Sequence, residues 1–288
     1  MIETIQEQAW KLWSEFLEPE FGFNEDHVQT SFSGHRGFHI HVRDPRYFHL
    51  DSNARREIVN YIRGEGIDIQ STLAGGQNGW GKRVHSGIDK VLEKLEIIRE
   101  KGSKSKMMID EMHELLNNRA RSKTVQLKSK SKYRIMELSE LAESNDRVDR
   151  LRKDHTLSVF GDVCTPIFWE LVRGDSSVVL SGAGETDEAV TVDTKRVIRW
   201  VGSLHGKSGL RVTEFPLERL DPDSKHPFDP LNETVVFGNK KFDIEITQDD
   251  ISAELCDQKI EASSGEKFSV NENMAIFLCL KGWAKLSK

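Results

Sequence analysis

The feature that most restricts the fold of this chain is the stretch from Val28 to Val42, VQTSFSGHRGFHIHV. Val28 to Phe32 alternates in character, a glycine-bounded turn Ser33-Gly34-His35-Arg36-Gly37 follows, and Phe38 to Val42 alternates again. Successive side chains of a strand point to opposite faces, so Phe38, Ile40 and Val42 share one face and His39, His41 and Arg43 share the other. The spacing predicts a β-hairpin with its apolar face turned toward a core.

The rest of the chain mixes helical and strand periods. Ile5, Ala9, Trp10, Trp13 and Phe16 predict an amphipathic helix over residues 3–17. Asp51 or Ser52 caps a predicted helix that runs through Ile58, Val59 and Ile62 and stops at Gly64. Residues 73–86 read as a Gly-rich loop and 88–99 as a helix. Residues 101–153 carry many Lys and Arg, no Pro, and apolar groups at helical spacing such as Ile109, Met112, Leu116 and Leu138. They predict a helical insertion with a basic surface, either a solvated face or a nucleic-acid contact. Strands are predicted at 178–180, 189–192, 210–213, 235–237 and 242–246, and a helix at 194–201 with Asp193 as its N-cap. The irregular alternation indicates an α+β (mixed α/β) fold with a helical insertion. The chain divides on composition into residues 1–100, 101–153 and 154–288.

With 288 residues the chain can bury a sizeable core, and its net charge of −6 excludes a global basic field of the kind that marks a nucleic-acid binder. Cys164, Cys256 and Cys279 are isolated, which argues against a disulfide frame or a zinc ribbon and for a reducing compartment. The N-terminal residues MIETIQEQAW lack the apolar run of a leader, and the apolar run 274–280 is too short to span a bilayer. A cytoplasmic protein with no membrane partner is expected.

Two turns concentrate the chemistry. In the first, glycines permit close backbone approach, Arg36 offers a planar fork to phosphate oxygens and His39 a donor. His39 and His41 also form a His-x-His pair that could coordinate zinc with a third ligand, for which His49 is the candidate. The second turn is Gly202-Ser203-Leu204-His205-Gly206-Lys207-Ser208-Gly209. It is one residue short of a P-loop and falls between a helix and a strand, the wrong order for that motif. Lys207 remains a point charge for a phosphate. Of the nearby acids, Asp193 has a capping role and Asp187 has none, so Asp187 is the better candidate for a divalent metal.

SFSGHRGFHIHV and TDEAVTVDTKRVIRWVGSLHGKSGLRV resemble, in this order, the motifs of the small, catalytic subunit of archaeal and eukaryotic DNA primase. PFDPL (Pro227 to Leu231) and MAIFLCLKGWA also look like that family. The resemblance implies a primase-type catalytic core. The implied activity is template-directed synthesis of short RNA primers from nucleoside triphosphates in DNA replication, by nucleotidyl transfer dependent on Mg²⁺ or Mn²⁺. It implies phosphate contacts for Ser33, Arg36, His39, Arg199, His205 and Lys207, and a catalytic, metal-binding role for Asp187. The implied partners are a primase large subunit carrying an iron–sulfur domain and a single-stranded DNA template.

In that family two further metal-binding carboxylates form an Asp-x-Asp pair ahead of the first motif. Residues 1–32 contain no such pair and no Cys. The expectation is a chain that is N-terminally incomplete or has lost metal chemistry, and that binds nucleotide without synthesising primers by itself. A non-catalytic nucleotide- or nucleic-acid-binding replication module is the alternative reading.

Overall fold

A computed structural model describes residues 2–66, 72–73, 79–119, 131–174 and 188–287. In chain order the first elements are α1 (Ile2–Leu12), β1 (Val28–Phe32), β2 (Phe38–Val42), α2 (Ser52–Arg63), α3 (Trp80–Arg99) and α4 (Ser103–Arg119). They are followed by α5 (Ser131–Leu141), α6 (Asn145–Arg152), α7 (Gly161–Gly174), α8 (Glu188–Val192), β3 (Thr213–Phe215) and α9 (Pro230–Glu233). The chain ends with β4 (Lys241–Ile246), β5 (Ile251–Leu255), β6 (Gln258–Ala262), β7 (Lys267–Asn271), α10 (Glu272–Lys281) and β8 (Ala284–Leu286). Helices and small antiparallel sheets make the fold mixed α+β, as the pattern predicts. Among the described residues no helix is long and apolar enough to cross a membrane.

The chain forms two compact units, Met1–Arg55 with Asp187–Lys288, and Arg56–Thr186. These divisions fall at other points than the shifts in composition at 100 and 153. Packing, not charge content, sets them.

The first unit is built on the predicted hairpin, whose strands have the bounds read from the sequence. β1 pairs antiparallel with β2, from Val28↔Val42 to Phe32↔Phe38. β3 pairs with the other edge of β1, with Thr30 opposite Phe215. The alternation places Phe32, Phe38 and Phe215 on one face, where Phe228 stacks on Phe215 with ring centroids 4.0 Å apart. A second sheet has the order β7-β4-β8, and β5 and β6 form a separate hairpin. α10 packs on β4, β7 and β8, and buries Met274 and Leu278 fully. Gly282, in the left-handed region at φ +73°, ends this helix.

In the second unit α3, α4, α5 and α7 pack on one another around Ile88, Leu95, Met112, Leu138 and Phe168. α3 starts at Trp80, so the C-terminal part of the predicted loop 73–86 is helical. Burial of Trp80 and Val84, together with a hydrogen bond from Trp80 Nε1 to the Tyr61 carbonyl at 2.8 Å, outweighs the helix-weakening glycines Gly81 and Gly87. Part of the basic surface expected here is locally paired. Lys132 pairs with Asp110, Arg134 with Glu137, Arg152 with Asp89 and Lys153 with Asp149.

The structure departs from the predicted pattern around the second turn. Residues 189–192 belong to α8, where the Asp193 N–H bonds to the Ala189 carbonyl at 3.1 Å, although Val-Thr-Val reads as a strand. Residues 194–201 are not helical. The Asp193 carboxylate accepts from the Lys195 N–H at 2.9 Å, which closes a local turn and starts no helix. Thr194, Val197, Ile198 and Val201 are β-branched and weak in helices, and residues 196–200 form no regular element. Val197 and Trp200 are 93% and 84% exposed, so no helical face is buried there. Strand pairing after the second turn starts at Thr213, preceded by an isolated bridge from Leu204 to Arg211. Residues 235–237 are not a strand. The predicted strand at 178–180 lies outside the described residues.

Candidate anion-binding site

The turn between β1 and β2 is closed by its own ends. The Ser33 N–H donates to the Gly37 carbonyl at 2.8 Å, and the Gly37 N–H donates to Ser33 Oγ at 3.0 Å. The second turn is held by a short ladder: His205 N–H to the Leu210 carbonyl at 2.9 Å, Val212 N–H to the Ser203 carbonyl at 2.8 Å, and Gly209 N–H to the His205 carbonyl at 2.8 Å. These bonds fix where the cationic side chains leave the backbone.

The two turns meet, although about 170 residues separate them in sequence. Ser208 Oγ donates to the Gly34 carbonyl, and both residues are buried. Gly34 has φ +80°, and a Cβ there would lie 2.9 Å from His205 Cβ and 3.0 Å from the Leu210 carbonyl oxygen. Only glycine permits this approach. The imidazoles of His35 and His205 stack with centroids 4.8 Å apart and planes within 12°.

Around this pair stand Arg36 and Lys207 from the turns, Arg199 from the irregular segment before the second turn, and Lys281 from the end of α10. Lys281 Nζ donates to His35 Nε2 at 2.8 Å. Lysine ammonium has no acceptor, so His35 is neutral with its proton on Nδ1. His205 Nδ1 accepts from the Lys207 N–H at 3.1 Å, which leaves Nε2 as the donor of the neutral ring. Among the described residues Arg36, Arg199, Lys207 and Lys281 make no ion pair with a carboxylate.

The electrostatics record this crowding. Burial, then the charges of Lys281, His205, Arg36 and Lys207, push the His35 pKa from 6.5 down to about 4. Burial, then Arg199, Lys281 and Lys207, lower that of His205. Burial, then Arg36, lowers the Lys281 ammonium. His35, His205 and Lys281 are each biased toward the less positive form, the condition an anion would relieve.

One consequence is measurable without a ligand. Between pH 6.5 and about 4 the unfolded chain protonates His35 and the folded chain does not. Stability therefore falls as pH drops through that window, and His35 contributes nothing to the slope above it. Denaturant unfolding at stepped pH should show the decline, and His35→Gln should flatten part of it.

Among the residues singled out in the sequence, Ser33, Arg36, Arg199, His205 and Lys207 belong to this meeting of turns. His39 stands on the polar face of the first sheet, opposite Ser31, with its ring edge-on to His41 at 5.6 Å. Asp187 lies outside the described residues. Among the described residues no three His, Cys, Asp or Glu come together as a metal site, so His49 does not complete one with His39 and His41. The described residues alone therefore do not fit a divalent-metal centre.

Sequence reading passed over His35, Ser208 and Lys281. His35 and Ser208 lie inside the quoted motifs and were visible as polar residues beside glycine. Lys281 lies inside the quoted stretch MAIFLCLKGWA, but the stretch gives no sign of its neighbours, because only the packing of α10 brings it to the first turn.

Comparison with known proteins agrees with this arrangement. The DNA primase small subunit family matches residues 2–217. The DNA primase small subunit PriS of Methanothrix thermoacetophila is 32% identical over 312 aligned residues, which cover 99% of this chain and 71% of that relative. The DNA primase small subunit PriS of Methanosphaerula palustris is 31% identical, over 100% of this chain and 70% of its own. The PriS of Methanocella arvoryzae is 30% identical, over 99% and 70%. Two motifs in order, brought together as one cationic pocket, and matches that run through nearly all of the chain make this chain a member of the DNA primase small subunit family.

Proposed function

We propose that the junction of the two turns holds the triphosphate tail of a nucleoside triphosphate, as the substrate of template-directed RNA primer synthesis in DNA replication. The observation that supports it is the convergence of Arg36, Arg199, Lys207 and Lys281 on the stacked pair His35 and His205, with none of the four ion-paired to a carboxylate among the described residues. A polyphosphate supplies several charges and many acceptor oxygens in one ligand. Arg36 offers a bidentate fork, Lys207 a point charge, and His205 the Nε2 donor that its Nδ1 bond fixes. Ser33 uses its oxygen to close the turn and keeps its hydroxyl proton for a phosphate oxygen. His39 joins from the adjoining strand. Held at several points, the tail cannot turn, and the α-phosphate is presented in one orientation.

Mg²⁺ or Mn²⁺ would shield the triphosphate and activate the attacking hydroxyl. Asp187 is this chain's candidate ligand for the ion. The described residues offer no cluster for the metal. The primase large subunit and single-stranded DNA template are the partners this role requires, and the cytoplasm is its compartment.

A competition titration tests the pocket. ATP and inorganic tripolyphosphate should displace one another, and adenosine should displace neither. Equal binding of adenosine would refute a phosphate-directed site. Turnover is read separately, by incorporation of labelled ATP on oligo-dT with Mg²⁺ or Mn²⁺. Product favours the enzyme, and triphosphate binding without product, with or without the large subunit, favours the non-catalytic module.

A further inference from the structure

We propose that Lys281, aimed by His35, is a further phosphate-binding residue of this site, so that the C-terminal end of α10 forms one wall of it. The proposal rests on the triphosphate reading above and extends it to residues outside the cationic positions of the two motifs.

Lys281 is the last residue of α10, and the backbone beyond it is fixed. The Gly282 N–H bonds to the Cys279 carbonyl at 3.0 Å and the Trp283 N–H to the Leu278 carbonyl at 2.9 Å. The helix end is also fixed against the second turn. Gly209 has φ +71°, and a Cβ there would lie 3.1 Å from Ile276 and 3.2 Å from Leu280. α10 and the second turn are therefore in direct contact, and Lys281 leaves the helix beside the first turn.

Among the described residues its ammonium pairs with no carboxylate. Nζ lies 5.2 Å from the Phe277 ring centroid and 5.7 Å from that of Trp283, which cradle the stem. Its hydrogen-bond partner is the neutral His35 ring. The charged neighbours that bear on Lys281, His35 and His205 are Arg36, Arg199 and Lys207. A surface lysine in such company turns outward, because like charges repel and the stem is flexible. This one is turned toward His35, whose Nε2 accepts from it. One of its three N–H groups is used by His35, and two remain for an anion. The anion class is the one the turns already select, a polyphosphate chain long enough to touch Arg36, Lys207 and Lys281 together.

His35 is a positioning residue here. It carries no charge in the free protein and orients Nζ. That role separates it from a general contribution to folding, because any neutral acceptor of similar reach performs it. His35→Gln retains an acceptor and His35→Leu does not.

The experiment measures tripolyphosphate affinity of the full chain by calorimetry for wild type, Lys281→Met, His35→Gln, His35→Leu and the double variant His35→Leu/Lys281→Met, with Arg36→Ala as reference. Lys281→Met should weaken binding about tenfold or more, the effect of losing a charge-assisted contact. His35→Gln should stay within about threefold of wild type. His35→Leu should weaken binding, and the double variant should be no weaker than Lys281→Met alone, because His35 acts through Lys281. A Lys281→Met variant that binds as wild type while Arg36→Ala binds weakly overturns the role of Lys281 and leaves the triphosphate reading intact. Wild type that binds no tripolyphosphate overturns both.

A second measurement needs no variant. Amine acylation followed by mass spectrometry should show Lys281 protected several-fold by saturating tripolyphosphate, with Lys259 on the distant β6 strand unchanged. Unchanged labelling of Lys281 contradicts the proposal.

Discussion

Replacing Gly34 by alanine should destabilise the first unit by about 2–5 kcal/mol and abolish polyphosphate binding in the protein that remains folded. Two costs add. An alanine forced to φ +80° loses about 1–2 kcal/mol in the left-handed region. Its methyl would enter a space bounded at 2.9 Å by His205 Cβ and at 3.0 Å by the Leu210 carbonyl, and overpacking of that order costs about 1–3 kcal/mol. Neither neighbour can yield cheaply, since one atom is backbone and the other is the first carbon of a buried residue. Relief comes by moving the turns apart, which breaks the Ser208 to Gly34 bond and unstacks His35 from His205. Denaturant unfolding reads the first effect and calorimetry with tripolyphosphate the second. A variant as stable as wild type that also binds as well would show that the approach of the turns is not required.

The second large effect concerns charge. Arg36→Ala and Lys207→Ala should each weaken triphosphate binding by about 1.5–3 kcal/mol, the range for hydrogen bonds to charged groups. Together they should bring binding close to the limit of detection. Both residues are exposed, so the substitutions should leave stability nearly unchanged or raise it slightly by relieving His35. This combination separates the pair from Gly34, where binding and stability fall together. Binding should also weaken steeply with salt in wild type and less so in the double variant, because the contacts are ionic. Salt-independent affinity would mean that the ligand is held by something other than this cluster.

The hairpin was legible to the residue because two independent signals coincided. Five-residue alternation on each side set the strands, and the glycine-bounded turn set the register. α2 was equally clear, since the Asp51 carboxylate does accept from the Ala54 N–H at 2.9 Å, as a capping aspartate should. The segment from 189 to 201 was misread for a shared reason. It is short and rich in β-branched residues, and local propensity over four to eight residues is weaker than the contacts at its ends. The position of Asp193 predicts a helix cap, but an aspartate closes an isolated turn with the same hydrogen bond.

For the site, the cationic character of each turn was legible, and the resemblance linked the two. What no local pattern encodes is the third participant. Lys281 ends an apolar helix and precedes a glycine, which marks it only as the basic end of a helix. Its place beside His35 depends on how α10 lies across β4, β7 and β8, a long-range result of packing.

The claim on which the account depends is that one polyphosphate is held by both turns at once. A crystal structure of the chain with a nucleoside triphosphate tests it most directly. The account predicts density for the phosphates at the junction of the turns, within hydrogen-bonding distance of the Arg36 guanidinium and of Lys207 Nζ in the same complex. A triphosphate bound by one turn alone, or seated elsewhere on the first unit with Arg36 and Lys207 free, would contradict it.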